Sequence, residues 1–350
     1  MPICIRGTEE PCLPEFAQES SPTAVDRIRL RLAASTPSLL PLAEKLALAA
    51  EHDVTVLLTG ETGTGKTFLA HLLHDFSPRC TERLLVVPCG ALAPNLVESE
   101  FFGHTKGAFT GADRPKVGKF AAAGKGTLLL DEVDALGLEQ QANLLRVVET
   151  GEFEQVGGNE TQRSECRIIV ASNRDLGLEA AHGRFRQDLF YRFNVMKFHL
   201  PPLRERIIDL PYLVQGMTQR YKEKFRKPLN AVDDEAMRAL ESYPWPGNLR
   251  ELENTLQGAV LVCTGDKLLL EHLPEALRAH YEGRSAHSSV TETLVRNREV
   301  VERNVILRAL ANNSNSRVDA ARELGISRVT LYKKMKKYGL MRGAALAGPY

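Results

Sequence analysis

The strongest constraint on the fold is a glycine-rich segment that joins a predicted strand to a predicted helix. Residues 60–67 read GETGTGKT and match the pattern G-x-x-x-x-G-K-[ST] at every fixed position. This pattern needs a strand before it and a helix after it, and the apolar run at 54–58 and the helical stretch at 66–75 supply both. The glycines allow backbone N–H groups to turn towards phosphate oxygens at the helix N-terminus. The segment therefore predicts a domain that binds a nucleotide.

Apolar runs of strand length alternate with helical stretches through the first 200 residues. Further strands are predicted at 84–87, 127–131, 167–172 and 194–200. This alternation favours an α/β fold with a parallel sheet and helices on both faces. After two prolines the character changes, and residues 207–280 are predicted to be helical throughout, as a small separate all-α unit.

Side chains suited to phosphoryl transfer stand in the glycine-rich segment and at the ends of two later strands. Lys66 can reach the β- and γ-phosphates, and Thr67 can ligate Mg²⁺. Asp131 and Glu132 follow an apolar strand at the edge where open α/β sheets bind ligands. Asp131 is suited to hydrated Mg²⁺, and Glu132 can orient or deprotonate the attacking water. Ser172 and Asn173 end the next strand, where a polar side chain can sense the γ-phosphate or fix the attacking water; the alternative is an ordinary turn.

These positions predict ATP and Mg²⁺ as the cofactors. The residues that we expect around the nucleotide are Gly60, Glu61, Thr62, Gly63, Thr64, Gly65, Lys66, Thr67, Ala123, Gly124, Lys125, Gly126, Thr127, Leu128, Leu129, Leu130, Asp131 and Glu132.

The charge pattern excludes a uniformly basic surface but marks one basic region. The 45 Lys and Arg residues nearly balance the 44 Asp and Glu residues, which gives a formal net charge of +1. Between Glu302 and Arg342, however, there are ten Lys and Arg residues and three Asp and Glu residues, a local charge of +7. Any nucleic-acid surface is therefore expected to be local.

The basic region contains a helix-turn-helix pattern at residues 316–340, SRVDAARELGISRVTLYKKMKKYGL. Gly325 permits the turn, and Ser327 can cap a second helix that ends near Lys337. Val329, Leu331 (with less support), Tyr332 and Met335 are expected to face the core. The alternative is a basic amphipathic hairpin that does not read DNA. The residues expected to contact double-stranded DNA, with the lysines on phosphates, are Arg317, Ser327, Arg328, Thr330, Lys333, Lys334 and Lys337.

Cysteine spacing and hydropathy indicate the cellular compartment of the protein. The six cysteines are scattered without a CxxC pair, which disfavours a disulfide framework or structural zinc. The N-terminus lacks the order of a signal peptide, and no apolar run approaches the roughly 20 residues of a membrane helix. These features predict a cytoplasmic protein with no membrane partner.

Residues 107–112 read GAFTGA, and this hexapeptide resembles the signature of the sigma-54-dependent transcription activators, or bacterial enhancer-binding proteins. The central module of that family is an AAA+ ATPase. The resemblance covers residues 24–278, and the C-terminal pattern is similar to the family's Fis-type helix-turn-helix. The segments that carry it are GETGTGKT, ESEFFGHTKGAFTGA, GKGTLLLDEVD, LLRVVETGEFEQVGG, FRQDLFYRFNV, LPPLRER and YPWPGNLRELEN.

The resemblance implies roles for several residues. Arg186 and Arg192 would be arginine fingers that reach the nucleotide of a neighbouring subunit, although surface pairing with Asp188 or Glu179 is an alternative. Arg250 would be a sensor arginine that contacts phosphate in cis, and its alternative is an ordinary arginine at a helix start. Fingers of this kind imply a ring, either a homo-hexamer or a mixed hexamer. The loop that would contact the sigma-54 factor, with its tip at Phe109 and Thr110, comprises Gly107, Ala108, Phe109, Thr110, Gly111 and Ala112.

The chain departs from the family pattern in two places. Where the family commonly has an Asn that holds the catalytic glutamate at rest, this chain has Pro88, which offers no hydrogen-bond donor. We therefore expect the restraint on Glu132 to be weak or to come from elsewhere. Only about 23 residues precede the ATPase module, too few for a sensor domain, so we expect control through abundance, a separate regulatory protein or a partner subunit.

The sequence thus predicts a cytoplasmic bacterial activator that binds upstream DNA, hydrolyses ATP and remodels closed complexes of sigma-54 RNA polymerase. Two alternatives are a DNA-binding AAA+ regulator that does not act on sigma-54 and a DNA-remodelling ATPase. The predicted domains are a tail at 1–23, an AAA+ α/β subdomain at 24–202, an all-α lid at 203–279, a linker at 280–291, a Fis-type domain at 292–342 and a tail at 343–350.

Overall fold

The computed structural model describes residues 23–283, 306, 309–310, 313, 316–337 and 340. The chain divides between Leu273 and Pro274 into two compact units. Residues 1–22 of the tail predicted at 1–23, the tail predicted at 343–350, the predicted linker beyond residue 283 and residues 292–305 of the predicted Fis-type domain lie outside the described residues. Within the described part of the chain, no helix is both long enough and apolar enough to cross a membrane.

A five-stranded parallel sheet forms the centre of the first unit. Its strand order is β2-β5-β8-β1-β9. The central strands β1, β5 and β8 are short, mostly apolar and buried runs, as strands covered by helices on both faces should be. This confirms the predicted α/β fold with a parallel sheet. The strands of the sheet are β1 (Val56–Thr59), β2 (Leu84–Pro88), β5 (Thr127–Asp131), β8 (Arg167–Ser172) and β9 (Met196–His199).

Successive residues of the central strands pack on opposite faces of the sheet. Leu57 and Val170 belong to a core cluster with α4, α6 and α8, whereas Leu58 and Ala171 belong to a cluster with α1, α2 and α3. The helices of this part are α1 (Ala24–Ala33), α2 (Ala43–Glu51), α3 (Lys66–Asp75), α4 (Val97–Phe102), α5 (Lys119–Ala123), α6 (Leu138–Thr150), α7 (Leu176–Ala181) and α8 (Gln187–Phe193). Two antiparallel pairs lie outside the main sheet, β3 (Gly103–His104) with β4 (Lys116–Val117) and β6 (Glu152–Glu154) with β7 (Thr161–Arg163).

The helical lid completes the first unit. Its helices are α9 (Leu210–Phe225), α10 (Asp234–Ser242) and α11 (Asn248–Val262), and α9 packs against α11. The prediction that this region is helical throughout was wrong in detail, because β10 (Ala231–Val232) and β11 (Lys267–Leu268) form a short parallel pair. Trp245 is fully buried between α10 and α11, and its indole N–H donates to the carbonyl of Leu240 at 2.8 Å.

The second unit contains a helix described from residue 275 to 283 (α12), followed by α13 (Arg317–Glu323) and α14 (Arg328–Lys337). Gly325 adopts a φ of +64° in the turn between α13 and α14. The hydroxyl of Ser327 accepts a hydrogen bond from the backbone N–H of Thr330 at 3.1 Å and so caps α14, as predicted.

The core of this unit corrects one prediction about α14. Leu331 and Met335 are buried, with Ala320 and Ala321 of α13 against them. Tyr332, which was expected to face the core, is instead 50% exposed. Residues i and i+4 share a helix face, so the pair 331 and 335 fills the core and the next residue turns outwards. The side chain of Val329 lies outside the described part.

Candidate nucleotide site, loop and DNA-reading helix

Close backbone approaches explain the glycines of the segment between β1 and α3. Gly60, Gly63 and Gly65 have φ values of +149°, +79° and +102°, which residues with a side chain rarely adopt. A Cβ atom at Gly60 would lie 2.5 Å from the carbonyl oxygen of Leu200, and one at Gly63 would lie 2.5 Å from that of Gly247. The segment therefore turns tightly under the lid and delivers Lys66 at the start of α3.

Lys66 is buried, and its ammonium group is fully engaged by oxygen atoms. Nζ donates to the carbonyls of Gly60 at 2.8 Å and Glu61 at 2.9 Å, and to Oδ1 of Asn173 at 2.6 Å. Burial lowers the pKa of Lys66, and the nearby carboxylates of Asp131, Asp134 and Glu132 oppose that shift. A phosphate group would replace these partners with a stronger, charged acceptor.

A cavity of about 350 Å³ opens beside this lysine. Its size falls within the usual range for small-molecule sites, with polar side chains at the sheet and both apolar and charged side chains from the lid. It brings together many of the residues that were predicted for the nucleotide. The lining residues are Ser35, Thr36, Thr62, Gly63, Gly65, Lys66, Thr67, Phe68, Asp131, Glu132, Asn173, Leu213, Met217, Arg220, Leu249, Arg250 and Glu253.

Part of the predicted nucleotide set does not reach this cavity. Of the stretch at 123–132, only Asp131 and Glu132 line it. The stretch at 123–130 precedes or builds β5, whose carboxyl end alone meets the glycine-rich segment. Lys125 lies before β5, at its amino end, and approaches Glu165 at 3.8 Å. The strand direction thus places residues 123–130 away from this cavity, and their assignment to the nucleotide gains no support from it.

The acidic pair ends β5 at the polar end of the cavity. Burial raises the pKa of Asp131, and the Lys66 charge opposes that shift. Glu132 has a φ of +57°, an uncommon conformation for a residue with a side chain. A third acid that sequence reasoning missed, Asp134, accepts hydrogen bonds from the hydroxyl of Ser172 at 2.9 Å and the N–H of Asn173 at 3.1 Å.

Asn173 connects the lysine to the glutamate. Its Oδ1 accepts from Lys66, and its Nδ2 donates to Oε1 of Glu132 at 3.3 Å. An ammonium group can only donate and a carboxylate can only accept, so this orientation of the amide is the one that satisfies both neighbours. The ordinary-turn alternative for Asn173 does not describe this arrangement.

The lid is tied directly to the glycine-rich segment by residues that sequence reasoning missed. Arg204 donates to both carboxylate oxygens of Glu61, at 2.9 and 2.6 Å, and this pairing lowers the pKa of Glu61 to about 2. The buried Asn248 donates to Glu61 at 3.2 Å and to the carbonyl of Thr62 at 3.1 Å. The side chain of Glu61 therefore holds the lid, while Arg250, two residues after Asn248, lines the cavity.

Each predicted finger arginine has an acidic partner within the chain. Arg186 donates to both oxygens of Asp188, at 3.1 and 2.7 Å, and Arg192 donates to Glu149 at 3.0 Å. Glu179, the other partner considered for Arg186, pairs with Arg184 at 2.7 Å instead. In a single subunit the surface pairing with Asp188 is therefore present, and the finger role stays a prediction.

The GAFTGA segment is an exposed loop between β3 and β4. A bond from the N–H of Gly107 to the carbonyl of Ala112, at 2.9 Å, closes its base, and Ala112 is buried. Thr110 is exposed, whereas Phe109 is 39% exposed and packs its ring against His104 with a centroid distance of 4.9 Å. His104 is another residue that the sequence did not reveal.

His104 is held on both sides of its ring. Nδ1 lies 2.8 Å from the hydroxyl of Ser99, and Nε2 lies 3.0 Å from the carbonyl of Arg114. A carbonyl only accepts, so Nε2 carries the proton and the Ser99 hydroxyl donates to Nδ1. The histidine therefore gives the aromatic residue of the loop a fixed support.

The exposed side of α14 carries three of the seven residues predicted for DNA. Arg328, Lys333 and Lys337 are exposed, and Arg317 is exposed at the start of α13. Ser327 is partly committed elsewhere, because its hydroxyl caps α14 and lies 2.7 Å from the hydroxyl of Thr330. Thr330 and Lys334 are half-buried. The exposed Tyr332 adds an aromatic group to this side, which the sequence had assigned to the core.

Together these features define a class of protein, the AAA+ P-loop NTPases. The features are a P-loop after the central strand β1, an asparagine after the adjacent strand β8, an acidic pair at the end of β5 on the far side of β8, and a helical lid that supplies an arginine to the same cavity.

The family follows from the comparison with known proteins. Three family models match in chain order: the Sigma-54 interaction domain at residues 32–199, the AAA+ ATPase lid domain at 204–290, and the bacterial regulatory protein, Fis family, at 297–338. The chain belongs to the sigma-54-dependent transcription activators. The resemblance stated from the sequence is thereby confirmed.

Individual relatives agree with this assignment. The transcriptional regulatory protein ZraR of Klebsiella oxytoca is 41% identical over 320 residues, which cover 91% of this chain and 71% of the relative. The regulatory protein AtoC of Escherichia coli is 38% identical over 309 residues, 87% of this chain and 67% of the relative. The crystal structure of NtrX from Brucella abortus in complex with ATP matches with a TM-score of 0.62 at 27% identity, over 86% of this chain and 68% of that one.

Proposed function

We propose that this chain hydrolyses ATP and uses the cycle to remodel closed complexes of sigma-54 RNA polymerase on DNA that its Fis-type helix-turn-helix holds. The observation that carries the proposal is the cavity where Lys66, Asp131, Glu132 and Arg250 meet. A lysine for the phosphates, a carboxylate for water and an arginine from the lid are the parts that phosphoryl transfer requires.

Within this cavity each side chain has a distinct task. Lys66 binds the β- and γ-phosphates, and Arg250 contacts phosphate from the lid. Glu132 accepts a proton from the attacking water or orients it. Asn173 holds the carboxylate of Glu132 and senses the γ-phosphate through its link to Lys66.

The donors present also fit Mg²⁺. A hydroxyl and a carboxylate, those of Thr67 and Asp131, line the same cavity. Mg²⁺ keeps several waters and takes one or two protein oxygens beside substrate phosphates, which suits this pair. When bound, the ion would neutralise charge that develops on the phosphate oxygens.

We further propose that the chain works as a hexameric ring, either of identical or of mixed subunits. Arg186 and Arg192 would then reach the nucleotide of the neighbouring subunit. Their present partners, Asp188 and Glu149, are surface carboxylates, and exposed ion pairs contribute little to stability. Phosphate can therefore displace these partners at small cost. Control would come from a separate regulatory protein or from a partner subunit.

The loop at residues 107–112 is the proposed contact with sigma-54. Gly107 and Gly111 have φ values of +82° and +95°, and none of the described atoms lies within 4 Å of a Cβ placed at either. The tip is held by the contact of Phe109 with His104 and by a backbone hydrogen bond from Ala112 to the carbonyl of Phe109 at 3.0 Å. A loop of this kind can change position with nucleotide state and present Thr110 to a partner.

For DNA we expect Arg328 and Lys333 to behave differently. Arg328→Ala should weaken binding to a selected site by about 1–3 kcal/mol and leave non-specific binding nearly unchanged, because an arginine at the start of a recognition helix contacts bases. Lys333→Ala should weaken both kinds of binding and reduce the slope of log K against log salt by about 1, because it contacts phosphate. Fluorescence anisotropy across salt concentrations, on a site obtained by in vitro selection, measures both effects. Equal losses on selected and random DNA for Arg328→Ala would contradict its assignment to the bases.

Transcription with purified sigma-54 polymerase tests the whole proposal. ATP-dependent open complexes on a promoter with an upstream binding site are the expected result. ATP turnover and DNA binding without open complexes would favour the alternative, an AAA+ regulator that does not act on sigma-54.

A further inference from the structure

The carboxylate of Glu132 occupies a space that exists because residue 90 is glycine. A Cβ atom at Gly90 would lie 2.4 Å from Oε2 of Glu132, which is closer than real Cβ contacts come. The same atom would lie 3.4 Å from Cδ and 3.5 Å from Cβ of the glutamate, which are ordinary contact distances. On its other side, Oε1 accepts the bond from Nδ2 of Asn173 at 3.3 Å. We call this space, between Gly90 and Asn173, the carboxylate seat.

Strand order places the seat relative to the phosphate site. Gly90 follows β2, which is the edge strand next to β5, while the P-loop follows β1 on the other side of β8. A Glu132 carboxylate oxygen that packs on Gly90 therefore points to the side of β5 that is remote from the P-loop. In this position Oε2 packs on Gly90, while Oε1 is bound by Asn173 on the other side of the carboxylate.

Residue 88 takes no part in the seat. Pro88 is exposed and has neither a side-chain donor nor a backbone N–H. Asn173, by contrast, contacts both Glu132 and Lys66. Nucleotide phosphates would compete with Asn173 for the ammonium group of Lys66. Nucleotide binding would therefore alter the hydrogen bonds of the same asparagine that binds Glu132.

We propose that Gly90 is a positioning residue, and that with Asn173 it forms the resting place of Glu132 and supplies the restraint that Pro88 cannot. This inference rests on the proposed function in one respect, that Glu132 activates the attacking water. Gly90 touches no reacting atom and acts through the glutamate alone.

Gly90→Ala tests the seat. The methyl group meets the far end of a flexible side chain, so the protein should fold and Glu132 should be confined to the phosphate side. We expect basal ATP turnover to rise about fivefold, with the KM for ATP unchanged, because the methyl group removes the resting position of Glu132 and leaves the phosphate contacts intact. Stimulation by polymerase should fall by the same factor. Gly216→Ala is the matched control, because a Cβ there meets none of the described atoms and Gly216 lies in α9 away from the seat. Unchanged or reduced basal turnover in Gly90→Ala would overturn the proposal.

A double-mutant cycle on unfolding separates this inference from the proposed function. In urea and without nucleotide, Gly90→Ala should lower the unfolding midpoint in the parent background but not beside Glu132→Ala, where the methyl group has room. Equal shifts in both backgrounds would overturn the seat whatever the enzyme does. If Glu132→Gln hydrolysed ATP at the parent rate, the catalytic assignment would fail, while the cycle would still report on the seat.

Discussion

Glu132→Gln is expected to lower ATP turnover by about 10²–10⁴-fold and to leave ATP affinity within a factor of about three, because removing a general base removes its rate contribution and not the phosphate contacts. The amide keeps the shape of the side chain but cannot take a proton. Steady-state hydrolysis and equilibrium binding of a fluorescent ATP analogue measure the two quantities separately. Parent-level turnover would show that another group activates the water.

Lys66→Ala is compared with Glu132→Gln, because the two variants should differ in ATP affinity. It removes the cation that would bind the phosphates, so binding should fail together with turnover. Lys125→Ala is the matched control, because Lys125 is an exposed lysine at the other end of β5 and does not line the cavity. Retention of nucleotide affinity in Lys66→Ala would contradict the P-loop assignment.

The fold was predictable because local signals agreed along the first unit. The strands at 127–131 and 167–172 and the helix at 66–75 have the predicted bounds. The apolar runs end at a glycine-rich turn, a proline, a charged residue or a polar pair, and such boundaries stop a strand or start a helix. The P-loop indicates that the nucleotide binds at the carboxyl ends of the parallel strands. Asp131 and Glu132 could therefore be assigned to the nucleotide site from the sequence alone.

Other parts of the site depend on contacts that leave no local trace. Glu61 and Arg204 are 143 residues apart, and no local sequence pattern at either residue predicts their ion pair. The room beside Gly90 likewise exists only once β2 and β5 lie side by side. In α14, residues 331, 332 and 335 were all candidates for the core. Residues 331 and 335 share one helix face and are buried, whereas residue 332 points away from that face and is exposed.

Thr110→Ala should abolish open-complex formation while ATP turnover and DNA binding stay close to those of the parent. Thr110 is exposed at the tip of its loop and does not line the nucleotide cavity, so its loss should leave hydrolysis intact. The hydroxyl and methyl groups offered to sigma-54 would be lost, and a remodelling enzyme that cannot grip its target turns over ATP without effect. Heparin-resistant complexes on a sigma-54 promoter, counted beside ATP turnover in the same reaction, measure the coupling.

The control for this experiment is Thr81→Ala, since Thr81 is an exposed threonine that precedes β2, at the amino end of the sheet. It makes the same chemical change at the end of the sheet opposite the P-loop and should leave transcription unaltered. His104→Ala adds a graded case, because it keeps Thr110 but removes the ring that supports Phe109, and it should reduce open complexes without abolishing them. Full activation by Thr110→Ala would remove the loop from the sigma-54 contact. Loss of ATP turnover in the same variant would mean that the loop tip affects the nucleotide site. Hydrolysis and remodelling would then not be separable in this protein.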